Sequence, residues 1–74
     1  MTMNNYHINI FYSDEDEGFI ADIPDLKFCS AFGKTSEVAL KEVLAAQKLW
    51  IEAAMETGRE IPKPKYKPLI YQIG

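Results

Sequence analysis

The apolar positions of this chain recur with two periods, and the places where the period changes mark its elements. Over residues 6–12 (YHINIFY) they alternate: Tyr6, Ile8, Ile10 and Tyr12 share one face, and His7, Asn9 and Phe11 the other. A period of two carried by aromatic and β-branched residues predicts a strand. The polar run SDEDEG interrupts it, and Gly18 offers the positive φ that tight connections often require. Alternation resumes with Phe19, Ala21 and Ile23, predicting a second strand over 19–23 and an antiparallel hairpin. Pro24 has no N–H to give a ladder and ends it. After the Pro24-Asp25 turn, KFCSAF predicts a third strand over 27–32, broken by Gly33.

The period then lengthens. Residues 36–57 predict one helix, about 33 Å long at 1.5 Å per residue. At 100° per residue Ala39, Val43, Ala46, Trp50 and Ala54 fall near one line, with Leu40, Leu44 and Ile51 on one flank and Ala53 on the other. Lys41, Lys48, Glu52 and Glu56 lie opposite. The alanines let such a helix approach a sheet closely, and Trp50 fills the remaining volume. Thr35 is the expected N-cap, Glu37 complements the dipole, and Gly58 suits the left-handed exit. Two positions break the pattern. Gln47 falls inside the apolar arc and needs a polar partner if buried, while Val38 and Leu49 fall outside it, as scattered exposed residues or as a contact surface. Proline-punctuated residues 61–67 predict an extended tether, and residues 68–73 alternate again with Leu69, Tyr71 and Ile73 on one face. The expected fold is therefore α+β, in the order β-β-β-α-β: a small antiparallel sheet covered on one face by one long helix. As an edge strand, the last segment is a template for pairing with another chain through Leu69, Ile70, Tyr71 and Ile73.

At 74 residues, residues 1–74 are expected to form a single domain, one small enough to gain from self-association as a dimer or tetramer. A hydrophobic content of 47% suits a packed core and not disorder. No apolar run approaches the length of a membrane span, and the N-terminus has no signal-peptide pattern. One cysteine excludes an intrachain disulfide framework, which suits a reducing compartment, and the expectation is cytoplasmic.

Charge is unevenly distributed. Residues 1–26 carry Asp14, Glu15, Asp16, Glu17, Asp22 and Asp25 with no Lys or Arg, whereas residues 59–74 carry Arg59, Lys63, Lys65 and Lys67 against Glu60. An acidic front argues against direct nucleic-acid binding, which needs a basic footprint. It suits contact with a basic protein, and those six acids are the candidate partner-binding residues; the alternative is a solubilising loop.

Candidate chemistry is sparse. Cys29 lacks a neighbouring base in sequence and reads as a small core hydrophobe, and His7 as a strand residue. No metal-ligand spacing, phosphate-cradling glycine loop or hydrolase signature is present. Consecutive carboxylates at 14–17 lack the spacing of a tight cation site. No catalytic residue, metal or cofactor is expected, and the chain is not expected to be an enzyme.

The ordered pieces resemble the HicB-like antitoxin family. They are a strand at 6–10, an acidic turn ending in Gly18-Phe19, Pro24-Asp25-Leu26, Cys29, Gly33-Lys34-Thr35, an alanine-rich helix with Trp50, and an exit from Gly58 to Ile61-Pro62. Together they span roughly residues 6–64. The family usually has Pro-Gly before the cysteine, where this chain has Lys27-Phe28, and often Glu at the third helical position, where it has Val38. Many members continue into a DNA-binding domain, which is not expected here. The resemblance implies a degenerate RNase H-like fold without its catalytic carboxylates. It also implies a protein that masks a small basic mRNA-cleaving toxin of the HicA type. The alternative within the same fold is an orphan regulatory or scaffold protein without a toxin.

Overall fold

In a computed structural model of the protein, which describes residues 6–67, three strands and one helix follow in the expected order. Strands β1 (Asn9–Ser13), β2 (Gly18–Asp22) and β3 (Ser30–Gly33) form an antiparallel sheet in sequential order. Helix α1 (Ser36–Glu56) lies across one face. The expected strand at 68–73, with Leu69, Ile70, Tyr71 and Ile73, lies outside the described residues.

Register determines which side chains meet the helix. Ile10 pairs with Ala21 and Ala21 with Ala31, and this row points toward α1. Ala21, Ile23, Leu26, Cys29, Ala39 and Val43 are buried between the layers, with Trp50, Ile51 and Phe19 packed around them. Small residues on both layers bring them close. A Cβ on Gly33 would lie 2.7 Å from the Val38 carbonyl carbon and 2.8 Å from Ala39 Cα, so the first helical turn sits directly on that strand.

Both helix ends follow from their sequence. The Val38 N–H donates to Thr35 Oγ1 at 3.1 Å, satisfying one of the free first-turn donors. At the other end, Gly58 takes φ 74°. Its N–H donates to the Met55 carbonyl and that of Arg59 to the Ala54 carbonyl, the paired bonds of a Schellman termination. Gln47, whose burial the sequence left open, is buried, and no described side chain leaves a fully buried polar atom without a partner. Val38 and Leu49 are exposed.

Four expectations need correction. The first strand begins at Asn9, not at residue 6; Tyr6 is nevertheless buried, and its hydroxyl donates to the Pro62 carbonyl. The third strand begins at Ser30, not 27, because the segment before it is wound into turns. There the Leu26 N–H donates to Ile23 O, the Cys29 N–H to Leu26 O and the Ile23 N–H to Cys29 O, so this backbone bonds to itself. Gly18 does not take the positive φ of the hairpin; Glu17 does, at 54°. Glycine is needed at 18 because a Cβ there would overlap the Phe32 ring. Finally, Ile10, Tyr12, Leu40 and Leu44 sit on the core side of their elements yet stay partly exposed, because the helix lies chiefly over β3 and β2 and less over β1.

Candidate protein-binding surface

Four of the six candidate acids are exposed and two, Asp22 and Asp25, are half-buried, and they do not form one cluster. Asp14, Glu15, Asp16 and Glu17 make the exposed β1–β2 turn. Its shape comes from Ser13, whose hydroxyl donates to Asp16 Oδ2 at 2.9 Å and accepts from the Asp16 N–H at 3.3 Å. Asp22 stands at the far end of β2, roughly 13 Å away at the usual strand rise. It lies in register between Asn9 and Ser30, on the sheet face turned away from the helix.

Asp25 has a different surrounding. Its carboxylate accepts from the backbone N–H of Lys65 at 3.1 Å and of Tyr66 at 3.1–3.2 Å. Tyr66 in turn packs at a tilt against His7 with ring centroids 4.9 Å apart, and His7 bonds Asn9 Oδ1 at 2.7 Å. Asp25 therefore fastens the segment after the helix to the β2–β3 turn, and Tyr66 carries it on to the residues just before β1. The sequence signal for this was Asp following Pro, a turn-opening pair with acceptor oxygens pointing away from the strand.

Cys29 is buried, and burial pushes its thiol above the usual range, with the nearby Asp22 carboxylate adding to the effect. That is the opposite of an activated nucleophile. Among the described residues no three His, Cys, Asp or Glu side chains converge as metal ligands, and no helix is long and apolar enough to cross a membrane.

Two features escaped the sequence pattern. The first is a row across the outer face of the sheet, formed by Phe11, Ile20 and Phe32 in direct register. Phe11 is 51% exposed and Phe32 40%. Alternation placed Phe11 on the outer face, but only the register brings the three side chains together. The second is Phe28, which is 95% exposed and held at φ 62°. Its turn is braced from the helix, where Trp50 Nε1 donates to the Lys27 carbonyl at 2.9 Å and the Arg59 guanidinium covers the indole at 5.5 Å.

The pattern describing the HicB-like antitoxins of bacterial toxin–antitoxin systems matches residues 6–70. The chain belongs to that family. It is also similar to the UPF0150 protein ssl0259 of Synechocystis sp. (strain ATCC 27184 / PCC 6803 / Kazusa), with 38% identity over 58 residues, 78% of each chain. No solved structure matches it significantly. For this HicB-like chain, family membership points to a role in a bacterial toxin–antitoxin system.

Proposed function

We propose that this HicB-like protein neutralises a small basic mRNA-cleaving toxin of the HicA type by masking the toxin's catalytic surface. The observation that carries the reading is the exposed acidic turn at 14–17, on a chain whose first 26 residues hold six acids and no Lys or Arg. Complementary charge steers two proteins together and disfavours wrong partners. The chain itself is not an enzyme in this reading. Its sheet and helix are a reduced RNase H-like scaffold used for binding. It works in the cytoplasm as a homo-oligomer, and it does not bind nucleic acid directly.

Co-expression with the small reading frame beside its gene tests the reading through growth and co-purification. Rescue of a toxic neighbour with a stable complex is the expected outcome. A harmless neighbour and no complex would sink it in favour of an orphan scaffold. In the complex, reversing the charges of Asp14, Asp16 and Glu17 is expected to weaken binding at least tenfold and to flatten its salt dependence.

A further inference from the structure

The helix covers one face of the sheet; on the other, Phe11 and Phe32 stay exposed, and Tyr66 lies against His7 just before β1. On that face the middle row is Phe11, Ile20 and Phe32, one side chain from each strand. Gly18 lets the Phe32 ring lie flat against β2 instead of standing out into solvent. The next row is Asn9, Asp22 and Ser30. Beyond it an open cavity of about 370 Å³, lined in part by Asp22, Ser30 and Phe28, joins the face to the braced turn. The apolar row and Phe28 thus belong to one continuous surface.

Phe28 has no folding role that explains it. At 95% exposure its ring packs on almost nothing, and its backbone sits where a side chain is strained. The turn holding it is braced by three backbone hydrogen bonds inside and by the Trp50 bond from the helix. A strained, exposed aromatic on a braced support has the properties of an interface anchor: large contact area, and little conformational freedom left to lose on binding.

We propose that the outer sheet face, with Phe28 as its projecting anchor, is the surface on which the partner protein docks. The partner that fits presents an apolar centre flanked by lysine and arginine. Charge complementarity selects that occupant over a second copy. Along the strands, the acidic turn at 14–17 lies beyond the row on one side and Asp22 beside it on the other, so its Phe11–Ile20 part sits between negative groups. Lys34 follows β3, and Lys27 lies in the turn beside Phe28 and lines the same cavity, away from the acidic turn at the other end of the sheet. This inference rests on the antitoxin reading and assigns its contact surface.

The test uses the full chain co-purified with the product of the neighbouring reading frame. Phe28→Gly, Phe11→Ser and Phe32→Ser are each compared with the natural chain for dissociation constant and for melting temperature of the free protein. Phe28→Gly is expected to weaken binding at least tenfold while leaving the melting temperature equal or higher, since it relieves strain and removes no packing. A residue kept for the fold would lower it. Phe11→Ser and Phe32→Ser are expected to weaken binding with the charge-dependent salt slope retained. A complex of natural affinity in all three variants overturns the docking surface and leaves the antitoxin reading standing. No complex with the natural chain overturns both. Self-association of the free chain that these substitutions abolish would make a second copy the occupant and overturn the basic partner.

Discussion

Two residues show how differently a backbone treats a missing or a present Cβ. Gly33 faces the helix, where the backbone of Val38 and Ala39 occupies the space a Cβ would need. Gly33→Ala is expected to destabilise the chain by about 3 kcal/mol, since the helix start must move as a body. Denaturant unfolding checks this; a change below about 0.5 kcal/mol, the level of an ordinary surface substitution, would mean the helix start yields without cost. Phe28 is the reverse case. Its φ of 62° suits glycine and strains a residue with a Cβ. The KFCSAF segment looks like a strand in sequence because phenylalanine favours strands, and alternation gives no warning of a left-handed turn. Local bonding within residues 23–29 overrides that preference.

Among the elements, α1 was the most legible. Its arc, its Thr35 cap and its Gly58 exit all follow from spacing and residue type, and each appears in the structure. The segment after it was not legible in the same way, because proline-rich spacing says nothing about where an extended chain is held. The structure fastens it twice, through Tyr6 to Pro62 and through Asp25 to the Lys65 and Tyr66 amides. Asp25→Ala removes a charged acceptor, and hydrogen bonds to charged groups are worth about 1.5–3 kcal/mol. Because these are largely exposed, the global loss is expected at about 1 kcal/mol. Hydrogen exchange is the sharper measurement. The Lys65 and Tyr66 amides are expected to lose protection in the variant while α1 amides keep theirs. Equal protection at 65 and 66 would show that the Asp25 carboxylate does not hold this segment.

For the whole molecule, burial sets the direction of its pH response. Desolvation raises the pKa of Cys29 and of Tyr6, with Asp22 and Asp25 respectively adding repulsion. Both groups are thus held neutral in the folded chain more strongly than in the unfolded one. Below the ordinary thiol value of 9.0 the contribution is fully present. As pH rises past that value, and then past the ordinary phenol value of 10.0, the unfolded chain ionises first and stability falls. Urea midpoints between pH 7 and pH 11 are expected to decline at the alkaline end. Replacing Cys29 by Ala is expected to remove the first part of the decline; an unchanged profile would assign the effect elsewhere.

The sequence by itself determined the α+β class, the β-β-β-α order, the helix and its caps, and the acidic front. These depend on periodicity, on capping chemistry and on charge count, all of which are local or additive along the chain. Tertiary structure alone decided the rest. It separated the acidic turn from Asp22, gave Asp25 to the chain after the helix, and aligned Phe11, Ile20 and Phe32 into one surface. Those outcomes depend on strand register and on which face the single helix covers. A one-residue slip in register would reverse every facing along a strand, so only the paired sheet specifies which side chains a partner meets.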